Sequence, residues 1–265
     1  MQKLAFYLAL FLSLEAGHVI TEMVLKNQNN ARACMHSCYP HDCSDVLTEQ
    51  GLKSDGVYLI YPYGPYSAGV PVYCDMSSQG GPWTVFQKRF DGSVNFYRGW
   101  EEYKSGFGRA DGEYWLGLKN IQLLTQKKKY CLRINLEDFK DEKRFVTYGD
   151  FSLSLLAINP EEDRYKLHIK GFQEGDELNP TGDSLSFHNG MKFSTYDHDE
   201  DEHPSVNCAL SASGAFWYKN CHGANLNGKY LNGSTEEYAT GLIWSSWKGH
   251  YYSLKRSEMK IAPSV

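Results

Sequence analysis

The stretch NCALSASGAFWYKNCHGANLNGKYL, Asn207 to Leu231, has neither the two-residue alternation of a strand nor the 3.6-residue period of a helix. The same loss of period runs from about Ser186 to Tyr252, where Gly, Asn, Ser and Trp dominate. This part of the chain is therefore expected to be loop-rich. Something other than regular ladders must hold it: a disulfide, an ion, or both. Immediately upstream lies YDHDEDEHPSVNC, Tyr196 to Cys208, with five carboxylates in six positions: Asp197, Asp199, Glu200, Asp201 and Glu202. Like charges this close repel, so the run is either a solvated loop or the seat of a cation.

Upstream of this region the patterning is regular. GVYLIYP, GVPVYCDM and PWTVFQKRF read as short strands. DGEYWLGLKNIQLLTQ has helical spacing, with Trp115, Leu118, Ile121 and Leu123 on or near one face. In KYCLRINLEDF, Tyr130, Leu132, Ile134 and Leu136 share one face and Cys131, Arg133, Asn135 and Glu137 the other. YKLHIKGF repeats the pattern, with Tyr165, Leu167 and Ile169 inward. Half-buried antiparallel strands alternate in this way.

The 265 residues carry a net charge of -5, and no basic cluster stands out beyond Lys127-Lys128-Lys129. That argues against a nucleic-acid or membrane partner. At the N-terminus, Lys3 precedes an uncharged apolar run, Leu4 to Leu14, with Ala16 and Gly17 after it. Residues 1–17 read as a secretory signal peptide, too short to span a bilayer. Residues 18–37 read as a flexible polar arm, and 38–263 as one globular domain. In an oxidising compartment most of the seven cysteines should pair, and an odd number leaves one free or bonded to another chain. Asn232-Gly233-Ser234 is an N-glycosylation sequon; Asn179 is followed by Pro180 and is not.

Several ordered motifs together carry a resemblance: DCSDVLTEQGLKSDGVYLIYP, VYCDM, GGPWTVFQKRFDGSVNFYRGWEEYKSGFG and GEYWLGLKNIQLLT, then NGMKFSTYDHDEDE, the opening stretch, and LIWSSWKGHYYSLKRSEMKIAP. From about Asp42 to Pro263 the chain resembles the fibrinogen-related domain family. The resemblance implies an α+β fold with three subregions. The first is a small N-terminal one closed by Cys43–Cys74. A central antiparallel sheet with helices follows, and then a loop-rich Ca²⁺-binding part closed by Cys208–Cys221. It also implies recognition rather than enzymatic activity. No nucleophile–base constellation stands against that. A Cys221/His222 dyad would need adjacent residues to face each other, and His198, His203 and His222 have no zinc-ligand spacing.

The family resemblance also implies site residues. Alignment from Phe193-Ser194-Thr195 makes Asp199 and Asp201 the Ca²⁺-ligating carboxylates. The carbonyls of His203 and Ser205 complete the set, and Asp197 is a supporting acid. Counting back from Cys208 would select Glu200 and Glu202 instead. An EF-hand is excluded, because Glu202 stands where Gly is required and Cys208 where the bidentate Glu belongs. In lectin-like members a cis peptide, here Asn220-Cys221, turns backbone N–H groups toward an acetyl-binding pocket. The matching residues are Asn220, Cys221, His222, Tyr238 and Ala239, with His250 in place of an aromatic wall. Acidification is expected to disturb the pocket if protonating His222 or His250 disturbs its wall. Trp217, Trp244 and Trp247 are read as core.

Within the family, the short arm without a stalk implies a matrix glycoprotein that associates with elastin, fibrillin or collagen. The pocket implies, alternatively, a soluble lectin for acetylated carbohydrates in innate immunity. Cys34, Cys38 and Cys131 remain as candidates for a disulfide-linked homo-oligomer. No Arg-Gly-Asp is present, and Gly108-Arg109-Ala110-Asp111-Gly112 is no equivalent, so an integrin partner is not expected.

Overall fold

The computed structural model describes residues 39–155 and 157–264. The signal and arm readings, with Cys34 and Cys38, lie outside the described residues. The first helix, α1 (Cys43–Gln50), starts at Asp42, whose side chain accepts from Asp45 N at 3.0 Å, and stops at Gly51 in the left-handed region. Cys43 is bonded to Cys74, which ties α1 to β2 (Val70–Asp75), the partner of β1 (Gly56–Ile60). β3 (Trp83–Arg89), α2 (Trp100–Ser105), β4 (Phe107–Gly108), β5 (Tyr114–Trp115) and α3 (Leu118–Lys127) follow, then β6 (Tyr130–Glu137), β7 (Lys143–Leu153) and β8 (Leu167–Glu174).

The helix expected around Trp115 begins later. Trp115 lies in β5, paired with β3, and Gly117 turns the chain at φ 100°, where a Cβ would come within 2.7 Å of the Ser105 carbonyl carbon. The register of α3 consequently buries Leu118, Ile121 and Leu124, while Leu123 stays half-exposed. The alternation in β6 and β8 is present as read: Tyr130, Leu132, Ile134, Leu136, Leu167 and Ile169 are buried.

After β8 come α4 (Cys208–Ser211), the two-residue strands β9 (Ala224–Asn225), β10 (Gly233–Ser234) and β11 (Ile243–Trp244), then α5 (Ser245–Lys248), β12 (Tyr252–Ser253) and β13 (Arg256–Pro263). β13 was not legible as a strand. It enters the middle of the main sheet, whose order is β1-β2-β3-β13-β6-β7-β8, with β5 paired to β3 and β4 to β5. Ser257, Met259 and Ile261 alternate inward along it. Lys260 breaks the pattern as a fully buried lysine, its ammonium bonded to Asp75 and, at 2.9 Å, to Glu258.

The fold is thus α+β around one antiparallel sheet. Its loop-rich part packs on the inner face of that sheet, closed by the Cys208–Cys221 bond. Trp217 and Trp244 are buried there, and their indole N–H groups donate to Tyr165 O and Gly182 O. Trp247 is half-buried and packs against the edge of that core, with the Lys248 ammonium 4.4 Å from its ring.

Beyond the disulfide, buried polar side chains bind the backbone of this part. Gln87 donates to Leu226 O, and Arg89 to Gly228 O at 2.9 Å. Asn225 donates to Ala212 O and Gly241 O, and Asn227 to Ala215 O. His188, fully buried, joins two segments: Nδ1 donates to Trp217 O at 2.7 Å, and Nε2 accepts from Gly223 N and Ala224 N. Two N–H groups aimed at Nε2 require the neutral ring.

Burial accordingly holds the His188 pKa at about 4. The unfolded chain takes up this proton below about pH 6.5 and the folded domain only near pH 4, so acid favours unfolding across that window. The gap is worth about 3 kcal/mol at about 1.4 kcal/mol per unit. Calorimetric melting from pH 7.5 to 4 should show stability falling with pH. His188→Gln, which does not titrate, should melt lower at pH 7.5 but lose less on acidification. A parallel pH profile for the two proteins would refute the neutral-ring role.

Candidate functional site

The crowded carboxylates of 197–202 are divided among separate tasks. Asp197, read as a supporting acid, ties the loop to α2. Its Oδ1 accepts from Trp100 N at 3.0 Å and from the Thr195 hydroxyl, so it caps the start of α2. Glu200 accepts from Arg164 Nε at 3.0 Å and lies 2.9 Å from Lys192 Nζ. Glu202 is exposed, and its N–H donates to Lys219 O. Asp199 and Asp201 remain, with no cationic side chain in ion-pair contact with either among the described residues. The frame that would use Glu200 therefore spends a carboxylate already neutralised by two cations.

Asp201 is the better anchored of the pair. Oδ1 accepts from His203 N at 2.8 Å and Oδ2 from Cys208 N at 2.7 Å, while Asp201 N donates to Asp199 Oδ1 at 3.3 Å. Burial, together with the neighbouring Asp199 carboxylate, raises its pKa above the ordinary aspartate value. Such a carboxylate gains from a nearby cation. The His203 ring accepts from Ser205 N and Val206 N and shapes the return of the loop. Among the described residues neither the His203 nor the Ser205 carbonyl accepts a hydrogen bond. Two carboxylates and two free carbonyls are hard oxygen donors of the kind Ca²⁺ takes.

The Asn220-Cys221 peptide is cis. Lys219 N donates to Cys221 O at 2.8 Å across the turn, and the N–H groups of Cys221 and His222 find no acceptor among the described residues. His222, Tyr238, Ala239 and His250 meet beside it. His222 Nε2 donates to Ala239 O at 2.9 Å, His250 Nε2 to His222 O at 3.2 Å, and Ala239 N to His250 O. The Tyr238 ring lies 5.3 Å from His250 and 5.2 Å from Tyr251, and it is largely exposed. Asn220 is exposed, and Cys221 half-buried in its disulfide.

His222 as a residue is half-exposed, yet its Nδ1 is shielded from solvent and has no partner. Burial, with the nearby His188 and His250 rings adding to it, depresses its pKa to about 3. The acid sensitivity expected of the pocket therefore cannot arise at His222 near neutrality. The sequence reading also missed His188, which fixes Gly223 and Ala224 just past the turn. A single buried histidine in a loop-rich stretch gives no sequence signal.

The acidic loop and the turn are mechanically continuous. Asp201 holds Cys208 N, Cys208 is bonded to Cys221, and Glu202 N holds Lys219 O. His198, by contrast, stacks on Trp100 at 4.4 Å, His203 caps its own loop and His222 binds Ala239 O, so these three imidazoles have separate partners.

Comparison with known proteins agrees with this architecture. Residues 39–264 match the family described as fibrinogen beta and gamma chains, C-terminal globular domain. Microfibril-associated glycoprotein 4 of Bos taurus is 54% identical over 255 residues, 96% of this chain and 96% of the relative. The Homo sapiens protein of that name is 59% identical over 230 residues, 87% of each. The fibrinogen-like globe domain of human ANGPTL2 superposes with a TM-score of 0.78 at 40% identity, covering 85% of this chain and all of that one. The chain belongs to the family of fibrinogen C-terminal globular domains, whose members are recognition modules and not enzymes.

Proposed function

We propose that this chain is a secreted, calcium-binding glycoprotein of the extracellular matrix that recognises elastic-fibre components such as elastin, fibrillin or collagen. The similarity to microfibril-associated glycoprotein 4 over nearly the whole chain supports the matrix role. Asp199 and Asp201 hold Ca²⁺, with the His203 and Ser205 carbonyls. The observation that carries this is a pair of cation-free carboxylates, joined through Asp201 N to Asp199 Oδ1, in a loop where Asp197 and Glu200 are already engaged. The exposed Asn232 carries an N-linked glycan. Residues 1–17 are removed as a signal, and the arm to residue 37 links copies through Cys34 or Cys38. Cys131 is the weaker candidate. It is half-buried, its thiol turns to Ala262 O at 3.4 Å, and burial raises its pKa.

A second reading, a lectin for acetylated glycans, is favoured by the free N–H groups of Cys221 and His222 beside Tyr238 and His250. A carbonyl ligand would accept from these donors while its methyl met the aromatic faces. The two functions are compatible on one domain, because the calcium loop supports the turn through Cys208.

Chelation should lower the melting temperature, and Ca²⁺ at about a hundredfold over its Kd should restore about 2.7 kcal/mol of stability. Asp201→Asn should melt at the same temperature with or without Ca²⁺. Calorimetry that finds the parent indifferent to Ca²⁺ would remove the site. For the pocket, His222→Ala and Tyr238→Ala should each weaken binding to an N-acetylated surface about tenfold, a change of about 1.4 kcal/mol. Since His222 stays neutral, acidification from pH 7 to 5 should not release the ligand through that ring. Equal binding to acetylated and non-acetylated surfaces would leave only the matrix role. Non-reducing electrophoresis should show covalent dimers or larger species that a Cys34→Ser/Cys38→Ser variant loses; persistent dimers would move the bond to Cys131.

A further inference from the structure

The main sheet also has an outer face. Gln87 and Arg89 turn inward to the carbonyls of Leu226 and Gly228, so Lys88 between them turns outward. The strand register then sets Lys88, Glu258, Asn135 and Phe145 side by side across β3, β13, β6 and β7. Arg256, Glu137 and Lys143 form the adjacent row, and Arg133 stands two residues from Asn135 on the other side. A groove of about 340 Å³ lies over these residues.

The carboxylates in the groove are already matched. Glu137 meets Lys255 at 3.1 Å and Glu258 meets Lys260 at 2.9 Å. Lys88 and Arg133 are not: both are half-buried, and neither has a carboxylate in ion-pair contact among the described residues. Each lies on a ring, Lys88 Nζ 3.8 Å from the Tyr73 centroid and Arg133 3.6 Å from that of Phe145, and Arg133 also donates to the neutral acceptors Asn135 Oδ1 at 2.9 Å and Gln79 O at 3.3 Å. Burial lowers the pKa of both. An anion would restore the stabilisation of charge that burial removes. Lys143 and Arg256, more exposed, lie 3.9 and 3.7 Å from Glu137 and share that one carboxylate with Lys255, which leaves the rim with more positive than negative charge.

We infer that this groove binds a sulfated glycan chain, Lys88 and Arg133 holding one sulfate at the floor while Lys143 and Arg256 hold the next. The floor strands argue against a peptide. All four are internal to the sheet and paired on both sides, so no edge is open for strand addition, and the Tyr73 and Phe145 rings are covered by the cations. Strands spaced about 4.8 Å apart spread the cations at intervals suited to a polymer with repeated charge.

The test uses the full oligomeric chain on immobilised chondroitin sulfate, with desulfated chondroitin, polyglutamate and duplex DNA as parallel surfaces. The parent should bind the sulfated surface selectively and elute with salt. Lys88→Ala/Arg133→Ala should elute at lower salt and reduce the slope of log affinity on log salt by about two. Lys143→Ala/Arg256→Ala, at exposed rim positions, should act in the same direction without touching the core. Chelator and Asp201→Asn should leave this binding unchanged, which separates it from the calcium site. Parent-like elution of both double variants would overturn the inference. So would equal capture by desulfated chondroitin, by polyglutamate (an acidic-peptide groove) or by DNA (unspecific attraction).

Discussion

A chain segment without long ladders must still satisfy every buried backbone N–H and C=O, and that requirement governs the C-terminal part of this domain. The solution is a set of buried polar side chains: Gln87 and Arg89 from the sheet, His188 from the loop below it, and Asn225 and Asn227 from within. Each binds a carbonyl, and His188 also receives two N–H groups. Removing one partner leaves a buried group unpaired at about 1–3 kcal/mol, more than a typical surface contact contributes. The cis turn, the acidic loop and the pocket all rest on this scaffold.

Much of the central fold was legible because its signals are local. The alternation in 130–136 and 165–169 needs only the residues themselves. Local reasoning failed where a distant partner decides. Leu124 replaces Leu123 in the core because Gly117 delays the start of α3. The C-terminal strand hides its alternation behind Lys260, whose burial makes sense only with Asp75 beside it. Five acids in a row looked like one feature, but Asp197 belongs to a helix about a hundred residues earlier in the chain and Glu200 to Arg164 and Lys192. The same applies to charge: the one basic run, Lys127–Lys129, lies elsewhere, yet Lys88, Arg133, Lys143 and Arg256 converge once four strands are in register.

The two faces of the sheet are chemically opposite in consequence. On the inner face, polar side chains are consumed in satisfying backbone, and the specificity offered to a ligand comes from a few fixed donors. On the outer face, cations stand over aromatic rings with part of their field unspent. A molecule with net charge -5 can therefore keep long-range repulsion toward polyanions in general and still present a short local contact to one that fits.

The position of β13 also bears on biosynthesis. The strand that joins β3 to β6 is made of residues 256–263, so a ribosome delivering the chain from its N-terminus has released both halves of the sheet before their common partner appears. Until then β3 and β6 each present an open edge, the arrangement most prone to pair with a neighbouring chain. The main sheet consequently cannot close until residues 256–263 have emerged, and chains cut before them should expose two unpaired edges and aggregate.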